Sequence, residues 1–258
     1  MARALLNNFL KAPGLDDLQI MASDINKDAL ADLRCGGVKT TQDNALVAEF
    51  AEILFISVKP ADAADVLYKI SSYIDADKII VSIMAGFPLM ALKAVLHKAK
   101  KFARCMPNLG SRVGEGMTGV AFYGCESGDK ADVMQLLQAA GKATEVPETL
   151  LDTVTAVSGS GSAYVYLFIK ALAEAGKARG FDDGQARLFA AQTVFGAAKS
   201  VLNCDDTLDA MVAAVCSKGG TTFEAVNVFN NSDFNEVIDK AVDAAYRKSK
   251  VMTNAFKV

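Results

Sequence analysis

An α/β domain built on a doubly wound, mainly parallel sheet and followed by an all-helical domain is the architecture this sequence predicts, on three observations. Between residues 18 and 147 short β-rich runs alternate with helical ones. Two of the strand runs, "ILFISV" and "IIVSI", are continuous apolar runs but for one serine each. Beyond Pro147 strand signals stop. Alternation of strand and helix points to βαβ crossovers, and continuous apolar runs suit strands covered on both faces. A chain of 258 residues exceeds the usual single-domain size, so an α/β domain over 1–147 and a helical domain over 148–258 are expected.

The elements follow in order. The opening "MARALLNNFL" reads as an amphipathic helix, with Leu5, Leu6, Phe9 and Leu10 on one stripe and Arg3, Asn7, Asn8 and Lys11 off it. No capping residue precedes it, so the chain begins in mid-helix. Strands are expected at "LQIMAS", "EILFISV", "KIIVSIMAG", "KFARCM", "GVAFYG" and "KATEV", with helices near 27–34, 44–49, 60–72, 88–98 and 127–140 between them. This half is Rossmann-like. Helices then fill "SAYVYLFIKALAEAGKARG", "DDGQARLFAAQTVFGAAKSVL", "TLDAMVAAVCS", "TTFEAVNVFN" and "DFNEVIDKAVDAAYRKSKVMT". Gly180 after Lys177 and Arg179 marks a C-terminal stop, and Asp233 with Glu236 fits a capping box.

Composition narrows the function classes. The chain is 52% hydrophobic, but its apolar runs are broken by Lys, Asp or Gly well before membrane-spanning length, and the N-terminal segment lacks the form of a signal peptide. A net charge of −3 with both signs interspersed leaves no basic stripe for nucleic acid. The five cysteines (Cys35, Cys105, Cys125, Cys204, Cys216) form no C-x-x-C pair, which predicts reduced thiols in a cytoplasmic protein. The single histidine, His97, falls late in a helical pattern and reads as a helix-end residue. No triad, carboxylate pair or metal-ligand cluster stands out, so the metal expectation is none and an enzyme of this make draws its chemistry from a cofactor.

Four stretches carry candidate chemistry. "VCSKGGTTFEAV" at 215–226 sets two glycines between helices, then hydroxyls and amides at a fresh helix N-terminus, a natural carboxylate site; alternatively Thr222 merely caps that helix. "VSGSGSAYVY" at 157–166 is a Gly/Ser turn into a helix, read by itself as tight helix packing. "SVKP" at 57–60 and "RCMPN" at 104–108 close two strands at their carboxyl ends, where doubly wound sheets bind ligands. There Lys59 meets a cofactor or stands solvated, and Asn108 reaches a ligand carboxamide or closes the turn.

In order and spacing, "SVKP", "SIMAG", "RCMPN", "VSGSGSAYVY" and "CSKGGTT" resemble the pyrroline-5-carboxylate reductase family over nearly the whole chain. The resemblance implies hydride transfer from NADPH or NADH to the imine 1-pyrroline-5-carboxylate, giving L-proline in the last step of its biosynthesis. It implies that Ser217, Gly219, Gly220 and Thr221 hold the substrate carboxylate and that Thr222, as the catalytic residue, hydrogen-bonds the ring nitrogen. The cofactor edge then corresponds to Ser23, Asp24, Asn44, Ser57, Lys59 and Pro60, with Met106, Pro107 and Asn108 nearer the nicotinamide. It further implies a dinucleotide-binding domain over 1–147, a substrate-binding and dimerisation domain over 148–258, and a homodimer or higher homo-oligomer whose active sites use loops from two chains. Departures are Ser162 and Lys218 where the family has proline, and Leu109-Gly110 after Asn108. The family's first strand and G-x-G-N turn are absent before Met1, so a truncated, inactive remnant that keeps the helical dimer is the alternative expectation. The β-hydroxyacid dehydrogenases fit poorly, since Val165 stands where their lysine belongs.

Overall fold

The computed structural model describes residues 1–256. Its first part runs α1 (Ala2–Phe9), β1 (Met21–Ser23), α2 (Lys27–Cys35), β2 (Lys39–Thr41), α3 (Asn44–Phe50), β3 (Ile53–Ile56), α4 (Ala63–Ile70), β4 (Ile79–Ser82), α5 (Leu89–Val95), β5 (Lys101–Pro107), β6 (Gly116–Tyr123), α6 (Ser127–Gln138) and β7 (Gly141–Glu145). There follow α7 (Leu151–Val154), a π turn (Thr155–Gly159), α8 (Gly161–Lys177), α9 (Asp183–Leu202), α10 (Leu208–Val215), α11 (Thr221–Asn230) and α12 (Phe234–Asn254). Two compact units result, one of Met1–Ser160 with the end of the chain from Ala245, the other of Gly161–Ala244.

In the first unit β3, β4 and β5 pair in parallel, β6 runs antiparallel to β5, and β7 is parallel to β6. The parallel pair β1–β2 forms a separate sheet, so among the described residues β1 and β3 each keep one edge without a partner strand. β2 is an element that sequence patterning did not indicate. It is three residues long, polar and partly exposed, and so shows no alternation to read.

Period-2 alternation sorts the side chains of the five-stranded sheet onto two faces. Leu54, Ile56, Ile80 and Phe102 pack with Leu67 and Ile70 of α4 and Leu92 of α5. Ile79, Val81, Ala103 and Cys105 pack with Val133 and Leu137 of α6. Leu5 and Phe9 of α1 join that second side beside Phe55, whose ring lies 5.6 Å from Phe9. Helices thus cover both faces, as the apolar strand runs predicted, and each fully buried side chain of this size contributes about 1.5–3 kcal/mol. On the first face Arg104 is buried and pairs with Glu148 Oε1 at 3.0 Å, and that oxygen also accepts from Leu89 N at the start of α5.

Glu126 and Asp129 form a reciprocal capping box at the start of α6, and Asp129 also accepts a hydrogen bond from Lys101 Nζ at 2.8 Å. The Lys101 hydrogen bond, followed by that from Glu126 N, holds the Asp129 carboxyl below its ordinary value of 3.8. A carboxylate whose folded pKa is lowered stabilises the fold above its unfolded pKa and loses that contribution as pH falls through the folded value. Asp129→Asn, which keeps a capping acceptor without the charge, is therefore expected to lower Tm by a few degrees at neutral pH. The gap to wild type should close in thermal scans below pH 3.8, and a gap that persists at low pH would remove the charge as its cause.

The second unit buries little of itself. In α9 only Ala186 and Ala190 are buried, and in α8, α10 and α11 no residue is. Leu188, Phe195 and Leu202, spaced seven apart on α9, are 65%, 52% and 65% exposed. Asp182 and Gln185 box the start of α9, and the stop expected at Gly180 is realised at φ +104° after α8. The last turns of α12 belong to the first unit, where Ser249 and Thr253 hydroxyls donate to the buried Asp152 Oδ1 at 2.6 and 2.9 Å. Cys105, Cys125, Cys204 and Cys216 are free thiols, and the side chain of Cys35 lies outside the described residues. No described helix is long and apolar enough to cross a membrane.

Candidate functional site

The carboxyl ends of β1, β2, β3 and β5 receive the residues expected at the cofactor edge. α3 follows β2 and leads the chain into β3. Ser23 Oγ donates to Asn44 Oδ1 at 2.6 Å, joining the end of β1 to the first residue of α3. Asp24 is exposed and offers one oxygen to Asn26 N at 2.8 Å, while Asn26 in turn caps α2 through Asp28 N. The other Asp24 oxygen has no hydrogen-bond partner among the described residues.

At the end of β3 both Ser57 and Lys59 are exposed, and Pro60 starts a short 3₁₀ turn closed by Asp62 N on Lys59 O at 2.9 Å. The proline fixes the backbone at the first position of that turn and leaves Lys59 as its flanking residue. At the end of β5 Pro107 is buried, and Met106 and Asn108 are half-buried. Asn108 closes the turn after β5, as Asx residues do, accepting from Gly110 N and Met117 N, each at 3.1 Å. Its amide nitrogen donates to Ser158 Oγ at 3.0 Å.

These groups fit a dinucleotide. A free carboxylate oxygen suits a ribose, an exposed ammonium suits a phosphate, and the first-turn amides of α1, which no side chain caps, are of the kind a pyrophosphate takes at a helix N-terminus. Among the described residues no cluster of His, Cys, Asp or Glu has the make-up of a metal site.

The second unit carries the other expected group. α10 ends at Val215, Gly220 N closes on Ser217 O at 2.9 Å, and α11 starts at Thr221. Two glycines make this joint. Gly219 has φ +72°, the left-handed region that side chains resist, and a Cβ on Gly220 would lie 2.4 Å from Ser217 Oγ. The helix cap is Gly220 itself, and no side chain caps α11. Thr222 therefore sits one residue inside the helix and is not its cap. The first-turn amides of α11 are left as orphan donors beside a half-buried Thr222 hydroxyl, and Ser217, Gly219 and Thr221 are exposed. Such a turn binds an anion and presents a neutral hydroxyl beside it.

Sequence patterning missed the partners of Asn108. Ser158 lies in the π turn, whose Gly159 lies against the Met106 Cε methyl at the end of β5. The "SGSG" run signalled close packing but not what it packs against.

Comparison with known proteins agrees along the chain. Residues 148–252 match a family described as pyrroline-5-carboxylate reductase dimerisation, and residues 1–86 one described as NADP oxidoreductase, coenzyme F420-dependent. A pyrroline-5-carboxylate reductase of Escherichia coli is 35% identical over 257 residues, covering 99% of this chain and 96% of the relative. One from Methanosarcina acetivorans is 32% identical over 97% of this chain and 93% of the relative. Among solved structures, a pyrroline-5-carboxylate reductase of Coxiella burnetii superposes with a TM-score of 0.92 at 29% identity, over 98% of this chain and 94% of that one. A pyrroline carboxylate reductase of Plasmodium falciparum with NADP bound superposes at 0.83 and 28% identity, over 97% and 94%.

Proposed function

The chain belongs to the pyrroline-5-carboxylate reductase family, and on that premise we propose how its own residues reduce 1-pyrroline-5-carboxylate to L-proline with NADPH or NADH, the closing step of proline biosynthesis. The observation that carries the assignment is the joint before α11, where Gly220 caps the helix and leaves its first-turn amides uncapped. Ser217, Gly219, Gly220 and Thr221 hold the substrate carboxylate on those amides. The Thr222 hydroxyl hydrogen-bonds the ring nitrogen and holds it in position as it gains a proton on going from imine to amine. When bound, the dinucleotide supplies a hydride to the imine carbon. Ser23, Asp24 and Asn44 take its adenosine end, Ser57, Lys59 and Pro60 the middle, and Met106, Pro107 and Asn108 the nicotinamide end. The polar ends of β1, β3 and β5 favour this reading over a helical dimer that cannot bind dinucleotide.

The chain is a homo-oligomer acting on a small molecule. We assign the pairing surface, as a dimer or a higher assembly, to the exposed apolar helices of residues 161–244. The free thiols fit a reducing compartment, the cytoplasm.

The β1–α2 turn sets the cofactor preference. Asp24 and Asp28 outweigh Lys27 there, and like charges about 4 Å apart at a water-exposed site cost about 1 kcal/mol, a factor of roughly five. NADH is expected to serve at least as well as NADPH. Asp24→Ser should raise the NADPH-to-NADH ratio of kcat/KM roughly five- to tenfold. Steady-state kinetics of 1-pyrroline-5-carboxylate reduction with each dinucleotide checks this, and a strong NADPH preference in the wild-type chain would strike Asp24 from the role.

A further inference from the structure

Asn108 is held in one orientation by its neighbours. Its Oδ1 accepts from Gly110 N and from Met117 N, so both acceptor directions of that oxygen are taken. A flipped carboxamide would set its NH₂ against two N–H donors, and Nδ2 therefore faces the other way. There it donates one hydrogen to Ser158 Oγ at 3.0 Å.

Ser158 is brought to this place by an unusual backbone. Residues Thr155–Gly159 form a π turn, closed by Ser160 N on Thr155 O at 2.8 Å, a wide form of helix that recurs at functional sites. Gly159 of that turn lies against the tip of Met106 at the end of β5. Two hydrogens remain unspent at the junction, the second on Asn108 Nδ2 and the one on the Ser158 hydroxyl, which has no acceptor among the described residues. Both side chains are half-buried, and both offer donors. Two adjacent donor hydrogens are chemically matched to a carbonyl oxygen.

We propose that Asn108 and Ser158 form a two-donor clamp on the carboxamide oxygen of the nicotinamide, with Ser158 also positioning Asn108. The clamp rests on the reading of the β5 end as the nicotinamide end of the dinucleotide edge. It gives the "SGSG" run a ligand contact beyond helix packing.

Calorimetric titration of the full chain with NADH and with ADP-ribose, which lacks the nicotinamide, separates this from a structural role. Ser158→Ala should weaken NADH roughly three- to tenfold, the worth of one neutral hydrogen bond, and leave ADP-ribose unchanged. Ser158→Thr, which keeps the hydroxyl, should restore NADH binding. Equal weakening of both ligands, or no change in NADH, would overturn the clamp. Failure of the wild-type chain to bind either ligand would overturn the dinucleotide reading and the clamp with it.

Discussion

Thr222→Ala is expected to lower the turnover of 1-pyrroline-5-carboxylate about ten- to a hundredfold, with little change in dinucleotide affinity. The magnitude is that of one hydrogen bond to a nitrogen whose charge changes in the reaction, about 1–3 kcal/mol. Stability is expected to move little, because Gly220 caps α11 and no hydrogen bond of the Thr222 hydroxyl is found among the described residues. Alanine is also the better helix former. Stopped-flow or steady-state rates beside a dinucleotide titration check it. Unchanged turnover would remove Thr222 from the reaction, and a loss confined to dinucleotide affinity would move it to the other ligand.

The second large effect is on assembly. Leu188, Phe195 and Leu202 recur every seven residues on α9 and so share one helix face, in a unit that buries only two alanines of that helix. Water contact on so much apolar surface is costly, and a second copy of the chain is the occupant that the dimerisation match supplies. Leu188→Asp together with Leu202→Asp should weaken the assembly about a hundredfold or more, as buried hot-spot residues do. Light scattering at micromolar concentration should then report the single-chain mass of 27.3 kDa. An undiminished oligomer would place the pairing surface away from this face of α9.

What the sequence disclosed followed from local periodicity. β3 and β4 were legible because "ILFISV" and "IIVSI" are apolar on both faces, and α1 because Leu5 and Phe9 recur at helical spacing. The joint before α11 was half legible. Its glycines announced a tight turn, but that Gly220 caps the helix, with Thr222 two positions further in, is a matter of backbone angles. β2 was hidden, since a three-residue polar strand exists only through its partner β1. The π turn was hidden as well, because its closure of Ser160 N on Thr155 O leaves no mark in the residue spacing. The same holds for Asn108. The run "RCMPN" offers both ligand and turn, with the polar strand ends slightly favouring the ligand, and only the positions of Gly110, Met117 and Ser158 show that its oxygen is committed to the turn while its nitrogen is not.

The central claim is hydride transfer to a cyclic imine, and isotope transfer tests it most directly. Incubating the full chain with 1-pyrroline-5-carboxylate and NADH deuterated at C4 of the nicotinamide on the transferred face should give L-proline carrying one deuterium at its δ carbon, in a one-to-one ratio with dinucleotide oxidised. Oligomeric, folded protein that forms no labelled proline, with either NADH or NADPH, would contradict the account.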